Sequence, residues 1–156
     1  MKSRTLLDPD KLLLRMMSLC AGAEHSTGEI SRKLMRQGLS SEETARIVER
    51  LVADKFIDDS RFARAYVNDK IKFSNWGRNK IRMGLLSKGI SVRDVDAALR
   101  SIDMKEYGVA LLRAARSKSK GLDLEDYQSR MRLYRMLSSC GYEGMYINKV
   151  IDYLRR

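Results

Sequence analysis

Positively charged side chains are concentrated in the middle of the chain, where few carboxylates oppose them. Between Ser60 and Arg93 the only acidic residue is Asp69. Folding does not require such an excess, whereas an anionic partner would explain it, because clustered positive charge attracts polyanions. The formal net charge of +11 makes nucleic acid the leading candidate for that partner. The basic residues of this stretch are Arg61, Arg64, Lys70, Lys72, Arg78, Lys80, Arg82, Lys88 and Arg93.

A second group of basic residues occupies the end of a predicted helix and the loop after it: Arg113, Arg116, Lys118 and Lys120. We interpret both groups as candidate phosphate contacts, which favour backbone recognition over sequence recognition. Trp76 lies next to the first group, and its ring is either a platform for an exposed base or a packed side chain. For each basic residue the alternative is a solvated helix face without a partner.

Residues that commonly catalyse reactions or bind metals are not grouped in this sequence. His25 is the only histidine and lies beside a helix-start signal, without a predicted nucleophile as partner. Asp58 and Asp59 could bind a metal, but Asp-Asp-Ser before an amphipathic run is typical of a helix start. Cys20 and Cys140 occupy apolar positions of helical patterns and are predicted to be reduced. We therefore expect a protein that is not an enzyme and that needs no cofactor or metal.

The elements that carry these residues repeat three times. Gly38, Gly89 and Gly141 lie 51 and 52 residues apart, and apolar residues recur at the same distances from each glycine. A leucine stands four positions before each glycine and an apolar residue follows it. This pattern predicts a helix that ends at a left-handed glycine, with the next apolar residue folding back onto the leucine.

The repeat predicts an all-α protein built of three tandem three-helix repeats. The repeat modules are predicted to span 1–56, 57–103 and 104–156 and to form one continuous structural unit. Because no flexible linker separates them, we expect an elongated, curved stack, right-handed or crescent-like. The predicted helices are 10–24, 26–37 and 40–54, then 58–74, 76–88 and 91–102, then 104–119, 123–140 and 142–155.

Helix-start and helix-end signals support these boundaries. Asp58 or Asp59 caps the first helix of the second module, so we interpret both, with the three repeat glycines, as structural helix boundaries. The third copy lacks a comparable cap to those of the first two. The predicted capping boxes pair Ser26 with Glu29, Ser40 with Glu43 and Ser91 with Asp94.

Neither membrane insertion nor secretion is predicted. No apolar run approaches the roughly 20 residues that a membrane span requires. The start, Met1 to Asp10, lacks the apolar core of a signal peptide, although Lys2 and Arg4 precede Leu6 and Leu7. We expect a cytoplasmic protein without membrane contact.

The middle module also carries a family signature. Its most specific part is Phe56-Ile57-Asp58-Asp59-Ser60-Arg61-Phe62-Ala63, followed by Tyr66, Gly77, Ile81, Leu85 and Lys88-Gly89-Ile90. A weaker match in the first module runs from His25-Ser26-Thr27-Gly28-Glu29-Ile30 to Leu34. Over nearly its whole length the chain resembles the RecX family, bacterial regulatory proteins that bind the RecA recombinase and modulate its filament on single-stranded DNA.

The resemblance implies a non-enzymatic regulator that lies in the RecA filament groove and limits filament growth, ATPase or strand exchange in DNA recombination, repair and the SOS response. It implies RecA and single-stranded DNA as partners, with double-stranded DNA as a further candidate, and we expect a monomer. Two positions depart from the family. Lys70 stands where arginine is usual and loses bidentate hydrogen bonding. Gly84 stands where an acidic residue is usual and, inside a helix, costs about 1 kcal/mol relative to alanine.

Two other classes of function stay open at this stage. The chain resembles a helix-turn-helix or sequence-independent DNA-binding protein in its pairs of short helices joined near a glycine. Tandem modules argue against the usual helix-turn-helix protein, which binds DNA half-sites as a dimer. Enrichment of one short sequence from random duplexes would favour this class. The other class is a protein-binding scaffold, which would have no affinity for nucleic acid at low salt.

Overall fold

The computed structural model describes residues 8–156, and within this range the chain forms nine helices and no strand. The all-α repeat fold is thereby confirmed. The expectation that the start of the chain lacks the apolar core of a signal peptide falls mainly on Met1–Leu7, which lie outside the described range. The largest shift concerns α8, which begins at Tyr127 instead of 123. The helices are α1 Pro9–Gly22, α2 Thr27–Arg36, α3 Ser41–Ala53, α4 Asp59–Ser74, α5 Arg78–Ser87, α6 Val92–Arg100, α7 Met104–Lys118, α8 Tyr127–Ser139 and α9 Gly144–Leu154.

We call α1–α3 module 1, α4–α6 module 2 and α7–α9 module 3, and α2, α5 and α8 the middle helices. Each middle helix ends at a left-handed glycine, with φ of +100° at Gly38, +78° at Gly89 and +97° at Gly141. The amide of the following apolar residue donates to the leucine carbonyl five positions before it, as in Leu39 to Leu34 at 3.3 Å. These turns are the ones that the repeat predicts. The module limits at 56 and 103 stay predictions.

Side-chain caps begin most of the helices. Ser40 and Glu43 form the predicted reciprocal capping box. Asp58, rather than Asp59, caps α4 by accepting from the Arg61 amide at 3.0 Å. The expectation that the third module lacks a comparable cap is confirmed for α9, which begins without a side-chain cap, and is wrong for α8, where Asp126 accepts from the Ser129 amide at 3.0 Å. Because the loop before α8 is longer, this cap does not fall at the position that the repeat predicts.

The buried apolar residues form two clusters. One cluster belongs to module 1 and includes Leu12, Ile30, Leu34 and Leu51. The other runs continuously through modules 2 and 3, and Val67 of α4 and Leu111 of α7 both belong to it. Modules 2 and 3 therefore share one core, whereas module 1 has its own. None of the helices in residues 8–156 combines the length and apolar character that crossing a membrane requires.

Replacing Phe62 by alanine is expected to destabilise the chain by about 3 to 5 kcal/mol, because the ring is buried in the shared core and stacks on Tyr66. Phe73→Ala is the matched control on the same helix, since this ring is 73% exposed. Its free energy of unfolding should change by no more than about 0.5 kcal/mol. Denaturant unfolding monitored by circular dichroism measures both. Equal losses in the two variants would contradict the assigned core face.

Candidate functional site

Module 1 meets module 2 through hydrogen bonds at the start of α2. The Ser26 hydroxyl donates to the Lys88 carbonyl at 2.8 Å. The Thr27 amide and hydroxyl donate to the two carboxylate oxygens of Asp59 at 2.8 and 2.7 Å. Gly28 passes so close that a Cβ there would lie 2.5 Å from the Lys88 carbonyl oxygen. Asp59 therefore holds two modules together instead of capping its own helix.

Ion pairs surround this contact and engage two of the predicted binding residues. Arg61 Nε lies 2.6 Å from Glu24 Oε1, and Lys88 Nζ lies 2.8 Å from Glu29 Oε1. His25 Nδ1 lies 3.2 Å from the other oxygen of Glu29. Burial raises the pKa of the Glu29 carboxyl, but hydrogen bonds from Lys88 and His25 outweigh it and hold the pKa below its usual value.

Module 2 meets module 3 through the equivalent end of its own middle helix. The Gly77 amide donates to the Cys140 carbonyl at 2.8 Å, and the Asn79 amide donates to the Gly141 carbonyl at 3.0 Å. A Cβ on Gly77 would collide with the backbone of Gly141. The Tyr142 hydroxyl donates to the Asn75 carbonyl at 2.8 Å. Two of these three hydrogen bonds thus join backbone groups on both sides.

Arg78 is the central side chain of the contact between modules 2 and 3. Its Nη1 lies 2.9 Å from Glu143 Oε2, and its guanidinium lies 4.9 Å from the centre of the Tyr107 ring. The Tyr107 hydroxyl accepts from the Arg78 amide at 3.0 Å and donates to Glu143 Oε1. Burial, followed by the bond to Glu143, raises the pKa of Tyr107 far above its usual value. Arg82 is likewise paired, with Asp96 at 2.8 Å.

Basic and aromatic side chains lie close together at the end of α4. Within residues 8–156 these basic side chains form no ion pair. Asn75 adopts a left-handed conformation with φ of +52°, and the Trp76 amide then donates to the Lys70 carbonyl at 3.1 Å. This turn brings the Trp76 ring to 4.5 Å from Lys70 Nζ and 4.5 Å from Lys80 Nζ. Lys70 Nζ also lies 5.3 Å from the centre of the Tyr66 ring.

Module 3 contributes to the same surface through Arg113. Its Nε donates to the Asn75 side chain at 3.1 Å and its Nη2 to the Lys72 carbonyl at 3.4 Å. Lys72 Nζ lies 5.3 Å from the centre of the Phe73 ring, which is 73% exposed. Members of both predicted groups of basic residues thus meet at this surface. We call the set the basic–aromatic surface: Lys70, Lys72, Phe73, Trp76, Lys80 and Arg113.

Within residues 8–156, no hydrogen bond or ion pair joins the other candidate side chains to this surface. Arg64 donates to the Ser60 hydroxyl at 2.7 Å. Arg116 and Lys118 lie in the last turn of α7, and Lys120 follows it. Within residues 8–156 these four, and the basic residues of the basic–aromatic surface, form no ion pair, whereas Arg61, Arg78, Arg82 and Lys88 each do.

The structure adds Phe73 to the candidate residues and bears on the interpretation of Trp76 and Gly84. Phe73 was missed because it follows Phe62 by 11 residues, about three helical turns, so periodicity alone places it beside the apolar stripe, and the structure shows that its ring is exposed. Trp76 is half-buried against the shared core, which favours the interpretation of a packed ring. Gly84 is explained by Tyr66, whose hydroxyl occupies the space that a Cβ there would need. No group of three or more potential metal ligands occurs in the described part of the chain.

Comparisons with known proteins agree with this geometry. A family model described as RecX, second three-helix domain, matches residues 58–99. The Regulatory protein RecX of Prosthecochloris aestuarii is 31% identical over 147 residues, covering 94% of this chain and 95% of the relative. That of Chlorobium phaeobacteroides is 31% identical over 149 residues, covering 96% and 97%. The chain spans a smaller share, 59%, of the Clostridium tetani relative, at 32% identity over 81% of this chain.

A solved structure shows the same fold. The crystal structure of RecX from Lactobacillus salivarius superimposes with a TM-score of 0.83 at 19% identity, covering 94% of this chain and 96% of that one. At this level of identity the likeness supports the arrangement of the helices alone.

Replacing Arg78 by alanine is expected to destabilise the chain by about 1 to 3 kcal/mol, because Glu143 would stay half-buried without its cation. Lys80→Ala is the matched control in the same helix, since Lys80 is exposed and should change stability by no more than about 0.5 kcal/mol. Denaturant unfolding measures both values. A fully stable Arg78 variant would show that this residue is free to bind a partner.

Replacing Glu29 by glutamine is expected to remove a pH-dependent part of the stability. Because its folded pKa lies below the unfolded value of 4.5, ionised Glu29 stabilises the fold above that pH. The contribution, at most about 1 kcal/mol for a partly exposed pair, is lost as the pH falls through the folded pKa. The difference from the native chain should be present at neutral pH and vanish in acid. Glu49→Gln, on the exposed side of α3, should show no such change.

Proposed function

The chain belongs to the RecX family of regulatory proteins, and from this premise we propose that it binds RecA and the RecA filament on DNA. In this proposal it inhibits filament extension, ATP hydrolysis and strand exchange, as a cytoplasmic monomer that acts without catalysis. The carrying observation is the basic–aromatic surface. It combines cations that form no ion pair within residues 8–156 with an exposed ring, at a place where two modules meet.

The ion pairs divide the basic residues by role. Arg61, Arg78, Arg82 and Lys88 are held by carboxylates. Three of these pairs join one module to the next, and the pair of Arg82 with Asp96 joins α5 to α6. Breaking such a pair to bind a phosphate would give up one charge interaction for another. The unpaired cations carry no such penalty. We therefore assign the first phosphate contacts to Lys70, Lys72, Lys80 and Arg113.

The aromatic part of the surface favours single-stranded DNA. An exposed ring beside cations allows a base to stack while its phosphates are neutralised, and stacking of this kind needs no particular sequence. Phe73 suits this role better than Trp76, because Phe73 is 73% exposed whereas Trp76 is packed against the core and covered by two ammonium groups. Arg116, Lys118 and Lys120 would extend the contact along the end of α7.

Rigid positioning supports the same proposal. The surface draws residues from α4, the loop after it, α5 and α7, and these elements surround one continuous core. Its cations therefore keep their spacing when a partner binds, which lowers the ordering cost of association. Module 1 lies outside this core.

Replacing Lys72 and Lys80 together by glutamine is expected to weaken binding to single-stranded DNA and to RecA filaments. Each lost phosphate contact should lower the slope of log affinity against log salt by about 0.7, and thus by about 1.4 for the pair. Phe73→Ala should weaken binding by about 1 to 3 kcal/mol at constant slope. Fluorescence anisotropy over a salt series measures the affinities, and RecA's DNA-dependent ATPase measures the inhibition.

The matched control removes two exposed lysines elsewhere, Lys11→Gln with Lys33→Gln, and keeps the same net charge as the test variant. An equal loss in both double variants would reduce the effect to overall charge and remove the assigned surface. If the native chain leaves RecA's ATPase unchanged at matched salt, the proposed regulation itself is wrong. Enrichment of one short sequence from random duplexes would instead support a sequence-reading DNA-binding protein.

A further inference from the structure

The two contacts between modules use residues at equivalent positions and the same accepting carbonyl. Ser26 and Gly77 each lie 12 residues before the glycine that ends their own middle helix. Each donates a hydrogen bond, one from its hydroxyl and one from its amide, to the carbonyl that precedes the left-handed glycine of the next module. The accepting carbonyls belong to Lys88 and Cys140, and both bonds measure 2.8 Å. The start of α2 thus lies against the end of α5, and the start of α5 against the end of α8.

Two further features complete this joint. The residue after the donor offers its amide to the first helix of the next module, as Thr27 does to Asp59 and Arg78 to Tyr107. A glycine at or just after the donor lets the two backbones approach, since a Cβ on Gly28 or Gly77 would collide with the next turn. A helix that docks in this way must therefore begin with a hydrogen-bond donor and carry a glycine within its first residues.

The free end of module 1 has the accepting half of the same joint. Gly38 has φ of +100° and is exposed, and in residues 8–156 no group donates to the Gln37 carbonyl before it. Asp8 lies 51 positions before Asp59 and likewise stands at the start of the first helix of its module. Its exposed carboxylate caps α1 through Oδ1, which accepts from the Asp10 amide at 3.0 Å, and within residues 8–156 no group donates to Oδ2. The acceptors that bind α2 in module 2 thus recur in module 1.

The opposite end of the molecule lacks the donating half. The residue 12 positions before Gly141 is Ser129, but α8 begins two residues earlier, at Tyr127, and the Ser129 amide and hydroxyl both donate to the Asp126 carboxylate at 3.0 Å. The residues at the start of α8, Asp126, Tyr127 and Gln128, include no glycine. A folded second copy of this chain would therefore bring a carboxylate and a bulky ring to the carboxylate of Asp8. Like charges and steric conflict both oppose that arrangement. The joint can be extended at one end only.

We propose that the end of module 1 formed by Asp8, Gln37 and Gly38 is an interaction surface for a further three-helix repeat. That repeat would present the start of its middle helix, with a donor at the first position and a glycine within the next two. Its unbonded amides and the positive end of its dipole suit the carbonyl of Gln37 and the carboxylate of Asp8. The contact continues the interface that already joins the three modules.

The test adds such a repeat to the full chain. A second copy of residues 8–58 inserted before Asp8 preserves the 51-residue spacing and places its own Ser26 and Thr27 opposite Gln37 and Asp8. The Thr27 amide of the inserted copy should then exchange slowly with deuterium, because Asp8 accepts from it. Amide exchange followed by NMR measures this rate, and circular dichroism checks that the inserted helices are folded.

Two matched substitutions in the inserted copy distinguish docking from folding. Gly28→Ala should abolish the protection of that amide, since its Cβ would meet the Gln37 carbonyl. Gly22→Ala should preserve it, because nothing lies within 4 Å of that position in the native chain. Protection that is equal in both variants, or absent from a folded insert, overturns the proposal. An insert that stays unfolded also counts against it, because docking would stabilise the added helices.

Discussion

The structure depends on hydrogen bonds between the end of one middle helix and the start of another. A helix leaves amides unbonded at its start and carbonyls unbonded at its end, and each costs free energy if it is buried alone. Here groups at a helix start satisfy carbonyls at a helix end, because the Ser26 hydroxyl donates to the carbonyl of Lys88 and the Gly77 amide to that of Cys140. The two backbones approach so closely that the donating segment requires glycine, at Gly28 in one joint and Gly77 in the other. Gly28 and Gly77 therefore set how closely the modules approach, and Gly89 and Gly141 form the turns against which they pack.

The two joints share this backbone geometry and differ in what surrounds it. Around the joint of modules 2 and 3 the apolar core is continuous, and Arg78 pairs with Glu143 at its edge. Around the joint of modules 1 and 2 the surroundings are charged, through Arg61 with Glu24 and Lys88 with Glu29. Partly exposed pairs of this kind contribute only about 0 to 1 kcal/mol each and weaken with salt. The neutral bonds of Ser26 and the bonds to Asp59 therefore hold module 1 in place.

The sequence predicts the fold well because the fold is local and repeated. The spacing of Leu34, Leu85 and Leu137 from their glycines is enough to place every middle-helix end, since only a left-handed turn brings the next apolar residue back. The start of α8 was misplaced because the loop from Gly121 to Asp126 interrupts the repeat. The candidate site was predicted less well. Basic residues are visible in a sequence, but the carboxylate that neutralises Arg78 lies 65 residues away, and no periodicity predicts that pairing.

The two departures from the family pattern are linked through one aromatic side chain. Tyr66 lies over Gly84, where its hydroxyl takes the place of a Cβ, and its ring meets Trp76 edge to face at 6.5 Å. Lys70 places its ammonium by both rings, a contact that a compact cation on a flexible stem makes without needing a hydrogen-bonding partner. An acidic side chain at position 84 would need the space of the Tyr66 hydroxyl and would lower the local positive charge. Glycine and lysine at these positions therefore preserve both the packing of Tyr66 and the excess of cations beside it.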